Sequence, residues 1–159
     1  MMCSVVSGER ADATIGKTIP ESVKRISAAY ENLLSDNPED WSNAVHSCRR
    51  ILQDLADSIF PATDQVRELR IAGKIQGIKL GRENYVNRIM AFVQDHSDSG
   101  SFREIVGSHI SFLGNRLDSI VEAANKGSHD TIVARQEADR CVVYTYLLVG
   151  DILTLLEGE

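Results

Sequence analysis

The stretch NPEDWSNAVHSCRRILQDLADSIFP, residues 37–61, decides the fold of this chain. Asparagine often caps helix N-termini, so Asn37 marks a helix start, and Pro38 suits the first helical position. The acidic pair Glu39–Asp40 suits the positive end of the helix dipole. Pro61 ends the pattern. Between them, apolar residues recur at steps of three and four, namely Trp41, Val45, Cys48, Leu52, Leu55 and Ile59. This spacing predicts one long amphipathic helix.

A second amphipathic pattern precedes this helix, over residues 20–34. Its apolar stripe consists of Val23, Ile26, Tyr30 and Leu33. Thr18 and Glu21 have the spacing of a capping box at its start. Residues 1–17 are polar and without periodicity, so they are predicted to form a flexible tail. Residues 18–159 then have the length of a single domain.

Residues 61–83 differ in character from the helices before them. Three glycines (Gly73, Gly77, Gly81) lie four residues apart, and glycine at this density disfavours a helix. We expect a loop, or a short β-hairpin through Leu69–Ile71 and Ile75–Leu80. No Walker phosphate-binding pattern is present, so a basic connection between helices is favoured. Residues 61–90 carry six basic and three acidic groups, whereas the whole chain has a net charge of −6. The basic side chains here are candidate nucleic-acid contacts: Arg67, Arg70, Lys74, Lys79 and Arg82.

Two more helices are predicted over residues 84–95 and 101–124. Ser101 and Glu104 have capping-box spacing at the start of the second of these. Gly107 and Gly114 lie on one face of the same helix. Each costs helix propensity, so each is predicted to allow a neighbouring helix to approach closely.

A last helix is predicted from the break NKGSHDT, residues 125–131, to about Leu156. Gly127 suits the C-cap of the helix before the break. The apolar arc of the last helix is broad, which is typical of a central, heavily buried helix. Its seam consists of Ala134, Ala138, Cys141, Thr145, Leu148, Ile152 and Leu155, widened by Val142 and Val149. Long helices with short breaks predict an all-α bundle of four to five helices.

Composition points to a cytoplasmic protein without a membrane segment. The longest uncharged stretch in the last third, Cys141–Gly150, is about half as long as a bilayer span requires. The N-terminus lacks the basic start and long apolar region of a signal peptide. Three widely spaced cysteines include no Cys-x-x-Cys pair, and no His-Glu-x-x-His occurs. We therefore expect neither a metal nor another cofactor, and Cys48 and Cys141 are predicted to be buried in the core.

Among the four histidines, His129 is the strongest functional candidate. It lies in the break before the last helix, and loop residues on a rigid scaffold carry function more often than residues on helix faces. Its structural alternative is to cap or orient that turn. His46 is predicted at the surface beside Arg49 and Arg50, and His96 in a solvated polar break. His109 lies next to the apolar stripe of its helix.

The last third of the chain resembles a known family. KGSHDTIVARQEADRCVVYTYLLVGDIL, residues 126–153, is similar to the C-terminal part of HEPN-like helical domains of bacterial abortive-infection and defence proteins. The shared features are a Lys-Gly-x-His turn, Glu137–Ala138 and the stretch Thr145–Asp151. Residues 37–61 and 80–92, with Asn87–Arg88, resemble early helices of such domains. The resemblance implies a HEPN-like bundle.

Many HEPN domains are metal-independent ribonucleases that form dimers. In them a histidine follows an arginine after four to six residues, and acts as acid or base while the arginine stabilises the phosphorane. The resemblance therefore suggests His129 as general acid or base. Phosphate would be held by Lys126, Arg88 or Arg116. Arg103 and His109 also meet the spacing, but in twelve arginines about one such match arises by chance.

Two functions follow from these features. The first is a non-catalytic interaction or scaffold module of a bacterial defence or toxin–antitoxin type complex, which forms a homodimer or binds a larger defence-system protein. The alternative is a metal-independent endoribonuclease toxin with RNA as its partner. The short chain, its acidic net charge and the absence of an arginine at motif spacing before His129 favour the first.

Overall fold

The computed structural model describes residues 20–71, 73–125 and 135–157, and the predicted flexible tail lies outside them. In chain order the elements are α1 (Pro20–Leu34), α2 (Pro38–Ile59), β1 (Val66–Ile71), β2 (Lys74–Lys79), α3 (Tyr85–His96), α4 (Gly100–Asn125) and α5 (Arg135–Glu157). The predicted helical bundle is therefore present, with a two-stranded sheet inserted between its second and third helices.

The predicted long helix is α2, and it lies at the centre of the bundle. The Asn37 side chain accepts a hydrogen bond from the backbone N–H of Glu39 at 3.1 Å, and Pro38 is the first helical residue. The helix ends one residue before Phe60, whose N–H still donates to the Ala56 carbonyl at 2.8 Å. α2 contacts each of the other four helices. Its buried residues are Ala44, Val45, Cys48, Ile51, Leu52, Leu55 and Ala56.

The last helix, α5, also contacts all four other helices, because its buried arc is broad. Seven residues of the predicted seam are buried, namely Ala138, Cys141, Val142, Thr145, Leu148, Val149 and Ile152. Leu153 is buried although it was not predicted, Leu155 is only half-buried, and Ala134 lies outside the described residues. The opposite side of α5 is exposed, however, and it carries Val143 and Leu147. The expectation of a heavily buried helix is thus correct for one side only.

The strands β1 and β2 form an antiparallel β-hairpin, in which β1 is longer than the predicted 69–71, whereas β2 has the predicted length of six residues but begins one residue earlier, at Lys74. Val66 pairs with Lys79 at the open end and Ile71 with Lys74 at the turn. Gly73 has a φ of +78°, a left-handed conformation that glycine adopts without a steric penalty. Leu69 and Ile78 are buried, so one face of the hairpin packs on the bundle.

The start of helix α4 departs from the sequence expectation, whereas the close approach at Gly114 agrees with it. It begins at Gly100, and the Ser99 hydroxyl accepts a hydrogen bond from the Phe102 N–H at 3.2 Å. Ser99 is therefore the capping residue, and the prediction that Ser101 caps this helix is wrong. A Cβ on Gly114 would overlap the Val86 side chain of α3, which confirms the predicted close approach there.

The same prediction is wrong for Gly107. A Cβ at that position would meet no atom within 4 Å, so Gly107 faces open space and no neighbouring helix approaches it. The two glycines lie seven residues apart on the same helix, but only Gly114 lies opposite α3. Alanine substitutions at Gly107 and Gly114 therefore form a matched pair.

Candidate functional site

The structure places Arg88, one of the predicted phosphate-holding residues, in the interior of the bundle. Its side chain has no exposed surface. The guanidinium donates to the Asp57 carboxylate at 2.8 Å, to the Phe60 carbonyl at 3.1 Å and to the Arg82 carbonyl at 3.0 Å. These contacts join the end of α2, the turn after β2 and α3. The observed role of Arg88 is to hold these elements together.

The neighbouring residue, Asn87, also joins α3 to the end of the hairpin. Its side-chain amide donates to the Lys79 carbonyl at 2.9 Å, and so fixes the end of β2 against α3. The Asn87–Arg88 pair, part of the family resemblance, thus fastens the hairpin to the bundle by two neighbouring side chains.

The second predicted arginine, Arg116, lies on α4 and forms a two-pronged ion pair with Glu137 of α5. Its Nη2 is 2.6 Å from Glu137 Oε2, and its Nε donates to the other carboxylate oxygen. This hydrogen bonding lowers the pKa of Glu137. The guanidinium also lies over the Phe112 ring, 5.6 Å from its centroid. The other two predicted site residues, Lys126 and His129, lie outside the described residues.

The five basic residues of the hairpin segment do not form one surface patch. Arg67 shares the inner face with buried Leu69 and pairs with Asp95 of α3, one of its two bonds being 2.8 Å long. By strand alternation Lys74 lies on this inner face too. Arg70 and Lys79 lie on the outer face. Arg82 follows β2 in a turn. It is exposed, and its backbone carbonyl accepts a hydrogen bond from Arg88.

Two of the histidines have defined aromatic contacts. His109 of α4 meets Tyr144 of α5 edge to face, with ring centroids 5.9 Å apart. His96 stacks on Phe92 at 4.0 Å, and its Nδ1 is 2.9 Å from the Phe92 carbonyl oxygen. His96 therefore completes the last turn of α3 and does not lie in the polar break after it.

Thiol chemistry and a metal centre have no support in the described part of the chain. Burial raises the pKa of Cys48 to about 12 and that of Cys141 to about 11, so both remain thiols at neutral pH. Within the same residues, no group of three His, Cys, Asp or Glu side chains could hold a metal ion. None of the helices described there is long and apolar enough to cross a bilayer.

An exposed apolar surface lies along the outer side of α4 and α5. It consists of four large side chains, and the exposed fractions are 69% for Ile105, 59% for Phe112, 48% for Val143 and 54% for Leu147. We call these four residues the outer apolar face. Single exposed apolar residues are ordinary, but a cluster of large ones on one side of two adjacent helices is typical of an interaction surface.

Two contacts between α4 and α5 hold the two halves of the outer apolar face side by side. The Arg116–Glu137 ion pair and the His109–Tyr144 ring contact join the facing edges of antiparallel α4 and α5. Ile105 and Phe112 lie four residues before and three residues after His109, on the same edge of α4. On α5, Val143 and Leu147 are the near neighbours of Tyr144 on its outer side.

Opposite charges flank the apolar residues of α5. Arg140 and Asp151 are both exposed and lie eleven residues apart, which is about three helical turns, so they share the outer side with Leu147. Partial desolvation raises the pKa of Asp151, and nearby His109 opposes this shift. The outer side of α5 thus has a cation at one end, an anion at the other and apolar side chains between them.

The sequence did contain a signal for this face. Ile105 and Phe112 are seven residues apart on α4 and fall outside its core stripe, which comprises Val106, Ile110, Leu113, Leu117 and Val121. A second apolar stripe on an amphipathic helix indicates a second contact surface. Periodicity alone could not show that α5 leaves this edge uncovered.

Comparison with protein-family models, with curated proteins and with solved structures finds no match for this chain. The fold and the surface geometry are therefore what a functional proposal can rest on, together with the resemblance of the motifs.

Proposed function

We propose that this chain is a HEPN-like, non-catalytic interaction module of a cytoplasmic bacterial defence or toxin–antitoxin type complex, and that its outer apolar face binds a second copy of the chain. The observation that carries the proposal is the exposure of Ile105, Phe112, Val143 and Leu147 on one side of α4 and α5. Residues that carry the resemblance support it too, since Glu137 aligns α5 with α4 and the stretch Thr145–Asp151 contributes to the outer side.

The spacing of charged and apolar residues on α5 favours a second copy of the chain as the partner that binds the outer apolar face. In a two-fold symmetric contact each residue meets its counterpart in reverse order. Arg140 and Asp151 are equally far from the midpoint between Thr145 and Tyr146, and so are Tyr144 and Leu147. Antiparallel packing of α5 on its symmetry mate would therefore put each Arg140 beside an Asp151, and each Tyr144 beside a Leu147. The order of charged and apolar residues on this face is therefore complementary to itself.

The energy of such a contact comes chiefly from the apolar side chains. Burying one large apolar side chain stabilises an association by about 1.5–3 kcal/mol. The two exposed ion pairs would contribute little affinity, about 0–1 kcal/mol each, but would set the orientation. Leu147 is the central candidate, because it lies between the charged ends of the face.

Replacing Leu147 with aspartate should weaken self-association at least about tenfold, because a charge would then be buried among apolar groups. Sedimentation equilibrium across a concentration series measures the dissociation constant directly. Leu34→Asp is the matched control, since Leu34 is also an exposed leucine but lies at the end of α1. That control should leave self-association unchanged.

Charge reversal tests the orientation of the contact. Arg140→Asp and Asp151→Arg should each weaken the dimer, because each change places like charges together. The double variant should recover self-association, since the pairs are restored with opposite sign. A wild-type chain that remains monomeric at high concentration, or a dimer that tolerates Leu147→Asp, contradicts a second copy at this face.

The non-catalytic assignment predicts that the purified chain leaves labelled total RNA and tRNA intact in the presence of a chelator. Electrophoresis after long incubation at high protein concentration is the measurement. Cleavage that is lost in a folded His129→Ala variant and retained in His109→Ala would instead establish the metal-independent ribonuclease, with His129 as its acid or base. Folding of both variants is checked by circular dichroism.

A further inference from the structure

A second surface feature lies on a different side of the bundle from the outer apolar face. It is an open groove of about 490 Å³ between α1, α2 and the C-terminal half of α4. Its wall on α2 carries His46, Arg49, Arg50 and Gln53, and Arg25 of α1 closes the other side. The α2 residues have helical spacings of three, four and seven from His46, so they share one helix face.

Arg49 is held in position by a network behind the groove. Its Nε donates to Asp118 of α4 at 2.7 Å, and its guanidinium carbon is 5.8 Å from the centroid of the Tyr85 ring. The Tyr85 hydroxyl donates to the same Asp118 carboxylate at 3.2 Å. Burial raises the pKa of Tyr85, so the phenol keeps its proton and remains a donor. Arg49 needs one N–H for this network, whereas a guanidinium carries five.

Of the other two arginines in the groove, one forms an ion pair within the described residues and the other does not. Arg50 is exposed and forms no ion pair with any described residue. His46 is half-buried, and its ring makes no hydrogen bond within the described part of the chain. Arg25 forms an ion pair with Asp54, the only carboxylate among the described lining residues.

The charge balance of the groove is opposite to that of the protein. Three arginines and a histidine line it, against Asp54 in the groove and Asp118 behind it, which leaves an excess of positive charge, whereas the chain has a net charge of −6. Partial burial lowers the pKa of His46, and the positive charges of Arg50 and Arg49 lower it further. Convergent guanidinium groups in a concave site are the arrangement that binds phosphate oxygens.

We propose that this groove binds a phosphate group, carried either by a nucleotide-sized molecule or by a single-stranded RNA. Arg49 supplies a pre-positioned guanidinium, Arg50 supplies the cation that has no protein partner, and His46 and Gln53 donate at the edge. The volume leaves room for the group to which the phosphate is attached. This inference is independent of the dimer contact, because it uses another surface.

Isothermal titration with four probes tests the proposal: pyrophosphate, adenosine monophosphate, adenosine and a short single-stranded RNA. Phosphate-bearing probes should bind and adenosine should not. Arg49→Gln and Arg50→Gln should each weaken binding about tenfold, as expected when one charge-assisted hydrogen bond is lost. Arg103→Gln is the matched control, because Arg103 lies on α4 about 27 Å along the axis from Val121, which lines the groove.

A second readout does not depend on affinity. Bound phosphate stabilises the protonated imidazole, so the pKa of His46 measured by NMR should rise on addition of pyrophosphate. Binding of the two small phosphates assigns a nucleotide-sized ligand, and binding of RNA alone assigns a strand. The proposal is overturned if no phosphate-bearing probe binds, if adenosine binds as well as its monophosphate, or if Arg103→Gln weakens binding as much as Arg50→Gln does.

Discussion

Replacing Arg88 with methionine is expected to lower the free energy of unfolding by about 3 kcal/mol, which is about 6–12 °C in Tm for a chain of this size. Methionine fills much of the same volume but donates no hydrogen bond. The carbonyls of Phe60 and Arg82 and the Asp57 carboxylate would all lose their donor. Thermal and urea denaturation followed by circular dichroism measure the loss.

Arg67→Met is the control for this experiment. Arg67 also forms an ion pair with an aspartate, Asp95, but its side chain is one third exposed. Water can replace the lost partner at such a site, so the expected change is about 1 kcal/mol or less. If the two variants lose the same stability, burial of Arg88 is not what makes its contacts important.

The Arg88 experiment also separates two roles for the residue. A structural role predicts that Arg88→Met loses stability in the absence of any RNA. A phosphate-holding role predicts a normal unfolding transition and a loss of RNA binding or cleavage. Arg88→Lys separates the structural role from the phosphate-holding role further. The lysine ammonium keeps the charge, but it cannot match the planar geometry of the guanidinium.

Gly114→Ala is expected to destabilise the protein by about 2–3 kcal/mol, although alanine is the better helix former. The added methyl group would overlap the Val86 side chain, which is β-branched and cannot rotate freely out of the way. The helices α3 and α4 would have to separate, or Val86 would have to leave its rotamer. Urea denaturation gives the size of the effect.

Gly107→Ala is the matched substitution on the same helix. Because open space surrounds that position, alanine should stabilise the protein by about 0.5–1 kcal/mol. A double-mutant cycle with Val86→Ala then isolates the steric contact, since Gly114→Ala should cost less when Val86 is already truncated. Equal effects of the two glycine substitutions would show that the close approach at Gly114 is not restrictive.

Local signals in the sequence predicted the helices well. Asn37 and Pro38 mark the start of α2 by their own chemistry, and the spacing from Val45 to Leu55 defines its buried side. Such features depend on neighbours within one or two turns, so they can be seen without the fold. The sequence predicts the wrong serine as the cap of α4, because Ser99 and Ser101 are both of a good capping type and sequence alone does not rank them.

The candidate sites were harder to predict, because they depend on residues far apart in the chain. The resemblance suggests Arg88 and Arg116 as cations that are free to hold phosphate. The structure pairs them with Asp57 and Glu137, which are 31 and 21 residues away. Conversely, the sequence places His46 and Arg50 on an ordinary surface, whereas in the structure they line a groove with residues of α1 and α4.

The sequence by itself determined that this chain forms amphipathic helices, where α2 starts and stops, and which side of α5 is buried. These properties follow from hydrophobic periodicity and capping, which act over a few residues. Only the tertiary structure decided which edges remain uncovered, which charges are neutralised by distant partners, and that Gly114 rather than Gly107 touches a neighbouring helix. The physical reason is that burial and ion pairing are properties of helix packing, and the same local pattern is compatible with more than one packing partner.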